Sequence, residues 1–284
     1  MLQTMAKLYM MRGLPAGGKS TKAKELVADG VVRVNRDLLR EMMNFGAFKH
    51  EDMVVDIEQF VVRNYLSKNR DVVVDDCNLN PANEEMWATI AKENNAKFEV
   101  IYIDTDVETC IERDALREKK VGEHVIRNMA LQYGLVKMDK PIVICDIDGT
   151  IADIKHRLHY VQGETKDWKE FFEAMYDDRV REDVETMLMK EVLDGHEIIF
   201  VSARPEEYRQ ETEGFLSMVG VKYTYLLMRP SGDKREDSIV KTNIYNKFLK
   251  NLKIVRVYDD RPRVIRMWRE LGLEVVDVGD GIEF

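Results

Sequence analysis

A glycine-rich segment near the start of the chain has the residue types that bind nucleotide phosphates. It begins at Gly13, reads Gly-Leu-Pro-Ala-Gly-Gly-Lys-Ser and matches the pattern G-x-x-x-x-G-K-[ST]. Backbone N–H groups around Gly13 and Gly18 can converge on phosphate oxygens, and the helix expected next adds favourable partial charge. Lys19 can bridge the outer phosphates, and Ser20 can ligate Mg²⁺. Together with Thr21, these residues predict a site for ATP as a phosphoryl donor.

A second segment combines an apolar run with two closely spaced carboxylates. The run starts at Ile142 and ends in the pattern D-x-D-G-T, which contains Asp146 and Asp148. Open α/β sheets place their chemistry at the carboxyl ends of strands. There Asp146 can attack phosphorus as a nucleophile, and Asp148 can protonate the leaving oxygen. Two anions that act on an anionic substrate require a cation, and Mg²⁺ prefers carboxylate oxygens.

Polar side chains that would complete such a phosphatase follow later apolar segments. Ser202 and Arg204 offer a hydroxyl and a guanidinium group to a phosphate, and Lys241 can neutralise an intermediate. Asp259 and Asp260 add an acidic pair to the two carboxylates of the D-x-D segment as metal ligands. The four groups occur in order along the chain, which favours one shared site over ordinary surface polarity.

Charged residues follow the apolar segments at residues 31–35 and 98–104, and each group has two interpretations. Asp37 can accept the proton of an attacking hydroxyl, and Arg40, one helical turn later, can hold an anionic part of the acceptor. The alternative is a helix cap at Asn35 or Asp37 with Arg40 in solvent. Arg113 and Arg117 share one helix face and suit a lid over the transferring phosphoryl group. The alternative for these two is a solvated helix face, and the residues alone leave both questions open.

The elements that must position these residues alternate between strand and helix. Short β-branched runs predict strands at residues 7–12, 31–35, 71–75, 98–104, 142–146, 197–202, 225–228, 254–259 and 274–278. Residues 19–28 and 54–66 predict helices, the second with an apolar stripe formed by Val54, Ile57, Phe60, Val61 and Tyr65. This alternation predicts an α/β fold in which mainly parallel sheets are covered by helices.

The chain of 284 residues is long enough for two domains. A new strand and a new motif begin near residues 139–141, where a proline discourages continuation of a helix. We therefore expect one domain at residues 1–138 and another at residues 139–284. No glycine- or serine-rich linker marks the boundary.

Composition excludes several classes of protein. The net charge of −9 argues against broad, non-specific binding to duplex DNA, although it allows an enzyme that binds a few phosphates in a pocket. No apolar run approaches the roughly 20 residues of a membrane span, and the first residues do not resemble a signal peptide. The three cysteines are far apart, which fits a reducing compartment. We expect a cytoplasmic protein without a membrane partner.

The second half of the chain resembles the haloacid-dehalogenase-like phosphatases in all four motifs. The whole chain, in this order of motifs, resembles the bacteriophage family of polynucleotide 5′-kinase/3′-phosphatases. That resemblance implies Asp37 as general base, Arg40 as the contact for the acceptor's 3′-phosphate, and Arg113 and Arg117 as lid arginines. It also implies that Arg157 and Ser202 contact the substrate. The segment Asp-Cys-Asn-Leu-Asn-Pro, from residue 76, corresponds to a family stretch with threonine in place of Cys77.

The resemblance further implies a bifunctional enzyme that heals nucleic-acid ends. Such an enzyme uses ATP and Mg²⁺, acts on RNA or DNA ends, forms a homo-oligomer and repairs broken RNA alongside an RNA ligase in the cytoplasm of an infected host cell. One alternative is a small-molecule kinase fused to a nucleotidase-type phosphatase. Another is a nucleotide-gated scaffold, which would not need the phosphatase set. Residues 152–180 align poorly with the family, so preference between RNA and DNA stays open.

Overall fold

The computed structural model describes residues 5–45, 50–163 and 165–281. The chain divides into two compact units, residues 1–136 and 137–284. Each unit contains a parallel sheet on which helices pack, and this confirms the α/β fold class expected from the sequence. Within the described ranges, no helix is both long enough and apolar enough to cross a membrane.

The first unit is built on a four-stranded sheet whose neighbouring strands all run parallel. Its strands are β1 (Lys7–Arg12), β2 (Val32–Val34), β3 (Val72–Val74) and β4 (Lys97–Tyr102). They lie in the order β2-β3-β1-β4. Its helices are α1 (Lys19–Ala28), α2 (Arg36–Met42), α3 (Glu51–Ser67), α4 (Pro81–Glu93), α5 (Val107–Ala115) and α6 (Glu123–Gln132).

Apolar side chains of this sheet alternate between two buried faces. Leu8 and Met10 of β1 pack in one cluster with Trp87 of α4. Met11 of β1 packs in another cluster with Ala23 of α1. Because both faces are covered, the central strands β1 and β3 are almost continuously apolar, as is typical of parallel sheets. The predicted strands are confirmed, with small shifts at their ends.

Helix α3 lies where the sequence predicts a helix, but the buried face is not the predicted stripe. The buried residues are Val54, Glu58, Val62 and Leu66, whereas Phe60 is 66% exposed. The buried face includes a glutamate because its carboxylate forms an ion pair with an arginine of α2. The prediction from hydrophobic spacing alone therefore identified a stripe next to the one that is buried.

The second unit is built on a five-stranded sheet whose neighbouring strands are also parallel. Its strands are β5 (Ile142–Cys145), β8 (Glu197–Pro205), β9 (Tyr225–Arg229), β10 (Ile254–Asp259) and β11 (Val275–Asp277). They lie in the order β11-β10-β5-β8-β9. Its helices are α7 (Trp168–Glu173), α8 (Glu182–Leu193), α9 (Arg209–Val219), α10 (Asp237–Ile244) and α11 (Pro262–Glu270).

An insertion follows β5 and contains the residues that align poorly with the family. Its ends form a short antiparallel pair, β6 (Ala152–Asp153) and β7 (Arg179–Val180), and α7 lies between them. Val161 and Phe171 of the insertion are buried in the same cluster as Phe200 of β8. The insertion is therefore anchored on the hydrophobic core of this unit.

Candidate active sites

In the first unit, the glycine-rich loop joins β1 to α1 with a backbone that only small residues allow. A Cβ atom on Gly13 would lie 2.7 Å from the carbonyl oxygen of Ile103, closer than real Cβ contacts come. Gly18 has a φ of +107° and forms the N-terminal cap of α1. The Lys19 amine is nearly buried and donates to the carbonyl oxygen of Leu14 at 2.6 Å. The chain thus presents a helix N-terminus and a fixed cation together, which suits a polyphosphate.

The segment that begins at residue 76 supports this loop through backbone atoms and an amide. The carbonyl oxygen of Cys77 accepts from the N–H of Gly13 at 3.1 Å. The side-chain amide of Asn78 donates to the carbonyl oxygen of Met11 at 2.9 Å. Any residue at position 77 can make the carbonyl contact, so it does not need the hydroxyl of the family's threonine. Burial raises the pKa of the Cys77 thiol even though Lys19 opposes that shift, so this thiol stays neutral.

The remaining predicted nucleotide contacts lie at the same loop. Ser20 and Thr21 are exposed in the first turn of α1, where the sequence places the metal ligand and its neighbour. Arg113 of α5 donates to the carbonyl oxygen of Gly17 at 3.3 Å. The structure therefore places Arg113 at the phosphate loop, and its role as a lid residue stays a prediction.

Arg117 lies apart from that contact in the described structure. Its guanidinium group pairs with Asp114 at 3.4 Å and its side chain is 48% exposed. Asp114 also accepts from the backbone N–H groups of Val121 and Gly122, both at 2.9 Å. Burial alone would raise the pKa of Asp114, but these N–H groups hold it below its usual value. Asp114 thereby fixes the connection between α5 and α6.

Helix α2 carries the predicted base and acceptor contact. Asn35 is its cap and accepts from the N–H of Leu38 at 3.0 Å, so the cap alternative holds for Asn35 and not for Asp37. The Asp37 side chain is 86% exposed. Arg40 is held between Asp37, at 2.5 Å, and both carboxylate oxygens of Glu51, at 2.7 and 2.8 Å. Asp37 is accessible to an acceptor hydroxyl, and the Arg40 guanidinium lies beside it.

A buried charged cluster behind α2 was not predicted. Arg36 pairs with Glu58 at 2.6 Å, and its backbone N–H donates to Asp76 at 3.2 Å. Burial and the neighbouring Asp76 carboxylate raise the pKa of Glu58 to about 9. In the sequence, this cluster is indicated only by the spacing of Glu58, which matches a buried face of α3. That spacing is a weak indication because it does not identify Arg36 as the partner.

In the second unit, one lysine and three aspartates meet at the carboxyl ends of β5 and β10. The Lys241 amine lies 2.8 Å from Asp146 and 2.8 Å from Asp259. Oxygen atoms of Asp146, Asp259 and Asp260 all lie within 4.8 Å of one another. The Asp259 carboxylate also accepts from the indole N–H of Trp268 at 3.1 Å. Three of the predicted metal ligands and the predicted lysine therefore form one cluster.

The electrostatics of this cluster favour a further cation. Burial raises the pKa of Asp146 well above its usual value despite the opposing effect of Lys241. Burial and the Asp259 charge raise the pKa of Asp260 to about 6. Both shifts arise first from burial, and the neighbouring carboxylate charges add to them. A Cβ atom on Gly149 would lie 2.1 Å from a carboxylate oxygen of Asp260, so the glycine leaves room for that carboxylate. Three carboxylates without enough countercharge are a donor set that fits Mg²⁺.

Asp148 differs from its prediction as a metal ligand. Its carboxylate lies in ion pairs with Arg204, at 2.7 Å, and with Arg157, rather than in the cluster above. Both arginines are fully buried, and both also pair with Asp178, at 2.6 and 2.7 Å. Burial alone would raise the pKa of Asp148, but the two guanidinium groups hold it well below its usual value. The hydroxyl of Ser202 is buried and accepts from the N–H of Arg204 at 3.1 Å.

The second unit contains a cavity of about 770 Å³. Asp146, Asp148 and Lys241 line it. Asp237 and Arg229 also line it and pair with each other at 2.5 Å, although the sequence did not single them out. The sequence does offer one indication for Asp237. It lies four residues before Lys241, and residues with this spacing share one face of a helix.

Comparison with known proteins matches both units to families. Residues 140–283 match the model described as the polynucleotide kinase PNKP phosphatase domain. Residues 8–135 match the model described as an AAA domain.

Individual relatives match one or both parts of the chain. The putative bifunctional polynucleotide kinase/RNA ligase of Autographa californica nuclear polyhedrosis virus is 29% identical in an alignment 309 residues long. The alignment covers 97% of this chain and 42% of that protein. The L-seryl-tRNA(Sec) kinase of Methanococcus maripaludis is 28% identical over 129 residues, 43% of this chain and 50% of that protein. The chain thus spans half or less of the length of these relatives. A chain in the structure of the Pnkp1/Rnl/Hen1 complex is 27% identical with a TM-score of 0.44, covering 98% of each chain.

Proposed function

Because the chain belongs to the family of the polynucleotide kinase PNKP phosphatase domain, we propose that it heals nucleic-acid ends. Residues 1–138 transfer the γ-phosphoryl group of ATP to 5′-hydroxyl ends, and residues 139–284 remove 3′-phosphates. The observation that carries the phosphatase assignment is the buried Lys241, which lies 2.8 Å from both Asp146 and Asp259 and lines the cavity of this unit.

In the phosphatase, Asp146 is the nucleophile. Its carboxylate oxygen attacks phosphorus, the bond to the 3′-oxygen breaks, and Asp148 gives its proton to that oxygen. Water then attacks the phosphorus of the aspartyl phosphate, and Asp148 accepts a proton from that water. The bond between phosphorus and the Asp146 oxygen breaks, which releases phosphate and restores the carboxylate. Arg157 and Arg204 hold Asp148 as an anion in the described state. When they turn to the phosphate, burial raises the pKa of Asp148 and makes it a proton donor.

Asp146, Asp259 and Asp260 would hold Mg²⁺, which screens the negative charge of nucleophile and phosphate. The excess of buried carboxylate over ammonium supports this assignment. Lys241 neutralises part of the same charge and keeps the Asp146 carboxylate in place.

In the kinase, the residues of the glycine-rich loop hold the donor. Lys19 would contact the outer phosphates of ATP, and Ser20 would hold Mg²⁺, which would offset their charge. Arg113 would stabilise the transferring group, with Arg117 closing over it. The exposed Asp37 is the general base for the 5′-hydroxyl. Arg40, which α2 presents one turn later, binds the acceptor's 3′-phosphate after exchanging its carboxylate partners for it.

The acceptor and the cellular role are the finer parts of the proposal. We propose that the substrates are broken RNA ends and that an RNA ligase seals the healed ends. The support is the viral relative, whose name joins a polynucleotide kinase to an RNA ligase in a longer protein. The resemblance to the bacteriophage family supports a homo-oligomer that acts in the cytoplasm of an infected cell.

Two labelled substrates test the proposal. Wild-type protein with Mg²⁺ should transfer label from γ-labelled ATP to a 5′-hydroxyl oligonucleotide and release label from a 3′-phosphate oligonucleotide, on RNA and on DNA. Lys19→Ala should abolish only the first reaction and Asp146→Asn only the second, because the two sets share no residue. Exposed Lys24→Ala and Asp194→Asn are matched controls and should retain both. Label transfer to free nucleosides in preference to oligonucleotides would favour the small-molecule alternative. Phosphate release in excess chelator would exclude the Mg²⁺ assignment.

A further inference from the structure

The cavity of the second unit has an aromatic wall that the proposed phosphoryl chemistry does not use. Trp168 and Phe172 of α7 and Tyr208, which precedes α9, all line the cavity that also contains Asp146 and Asp148. The rings of Trp168 and Phe172 are stacked, with centroids 6.1 Å apart and an interplanar angle of 27°. Tyr208 extends the row, with its ring centroid 5.3 Å from that of Phe172.

This row is not simply part of the hydrophobic core. The insertion anchors itself through Phe171, which is 2% exposed and belongs to the main cluster of the unit. Trp168 has its indole ring edge-to-face with Phe171 at 5.7 Å but remains 39% exposed. Part of the Trp168 ring remains in contact with water after folding. A ligand that covers the ring therefore gains the hydrophobic free energy of burying that surface.

Cations accompany the aromatic wall. The Lys166 amine lies 5.6 Å from the centre of the Trp168 ring, and both Lys166 and Lys169 line the cavity. Lys234 and Arg235, in the loop after β9, line it as well. Arg235 pairs with Asp233 at 2.5 Å and Lys169 with Glu173 at 3.3 Å, so part of this positive charge is already compensated. Flat aromatic rings beside cations are the combination that binds unpaired nucleotides, since bases stack and cations attract the backbone phosphates.

We propose that Trp168, with Phe172 and Tyr208 behind it, stacks on the unpaired base of the 3′-terminal nucleotide. The inference rests on the proposed 3′-phosphatase, because the base must follow its phosphate into the same cavity. The aromatic wall makes the phosphatase selective for single-stranded ends, since a paired terminal base is already stacked in its duplex. It also lets the enzyme accept any base, because every base has a π-face.

Steady-state kinetics test the stacking with two matched substrates. The first is an oligonucleotide with a 3′-phosphate, and the second is the same oligonucleotide with an abasic terminal residue. A base stacked on an aromatic side chain contributes about 1–3 kcal/mol, or roughly 5- to 150-fold in kcat/KM. Wild type should prefer the normal end by this factor. Trp168→Ala should lose most of that preference and Trp168→Phe should restore part of it. Tyr176→Ala, an exposed aromatic of the same insertion outside the cavity, should change neither substrate.

Equal losses on both substrates in Trp168→Ala would overturn the proposal and leave Trp168 a structural residue. A binding measurement keeps the test independent of turnover. The chain has three tryptophans, and Trp87 and Trp268 are fully buried. Adding a single-stranded 3′-phosphate oligonucleotide to Asp146→Asn should quench the fluorescence of Trp168, and Asp146→Asn/Trp168→Phe should lack that component. Quenching without turnover by wild type would contradict the phosphatase but retain the stacking. Turnover without quenching would contradict the stacking alone.

Discussion

Replacing Lys241 by methionine is expected to destabilise the second unit strongly. The Lys241 amine is 2% exposed and lies 2.8 Å from carboxylates of both Asp146 and Asp259. At an effective dielectric of 20, each contact is a gross attraction of about 6 kcal/mol, which desolvation of the three groups offsets in large part. Removing one partner of such a buried set costs about 3–5 kcal/mol, because the remaining charges stay buried without compensation. For a domain of this size, that corresponds to roughly 6–20 °C in Tm.

Scanning calorimetry of the full chain measures this effect. The transition of the second unit should move to lower temperature in Lys241→Met, and the transition of the first unit should stay in place. Lys190→Met, an exposed lysine on α8, is the control and should move neither. Mg²⁺ should raise the Tm of Lys241→Met more than that of wild type, because the carboxylates proposed to hold it have lost their other cation. In a double-mutant cycle with Asp259→Asn, the coupling should be about 0.5–3 kcal/mol. A Tm equal to that of the control, or additive single effects, would refute this account of the cluster.

Two further predictions concern one residue in each unit. Glu58→Gln should gain stability relative to wild type as pH rises from 4.5 towards 9, measured by urea unfolding. Burial and Asp76 raise the folded-state pKa of Glu58, so wild type loses stability as that carboxyl group ionises, whereas glutamine does not titrate. A difference in unfolding free energy between the two proteins that stays constant across this pH range would contradict the prediction. Gly149→Ala should abolish 3′-phosphate release and keep kinase activity, because its Cβ would lie 2.1 Å from an Asp260 oxygen. Gly195→Ala has a similar φ of +88° with open space around it and should keep both activities.

The sequence predicts what depends on neighbours along the chain. The glycine-rich loop is such a case, since strand, turn and helix start are all encoded within residues 7–28. The approach of Asp146 to Asp259 was also predictable, because the paired parallel strands β5 and β10 bring their carboxyl ends to one edge of the sheet. The buried face of α3 was not, because Glu58 is buried only through its pair with Arg36 of another helix. Pairing between distant charged residues has no periodic signal that a single sequence can show.

The same limit explains why Asp148 was assigned to the metal. A carboxylate two residues after a nucleophile has the right type and spacing for a ligand, but its partners come from elsewhere in the chain. Arg157 belongs to the insertion after β5 and Arg204 to β8, and Asp178, near the other end of the insertion, completes the set. Two arginines and two aspartates are balanced in charge without substrate. An arriving phosphate upsets that balance, and protonating one of the two buried carboxylates restores part of it. The insertion therefore brings Arg157, the phosphate contact of the proposed mechanism, next to Asp148, its proposed acid.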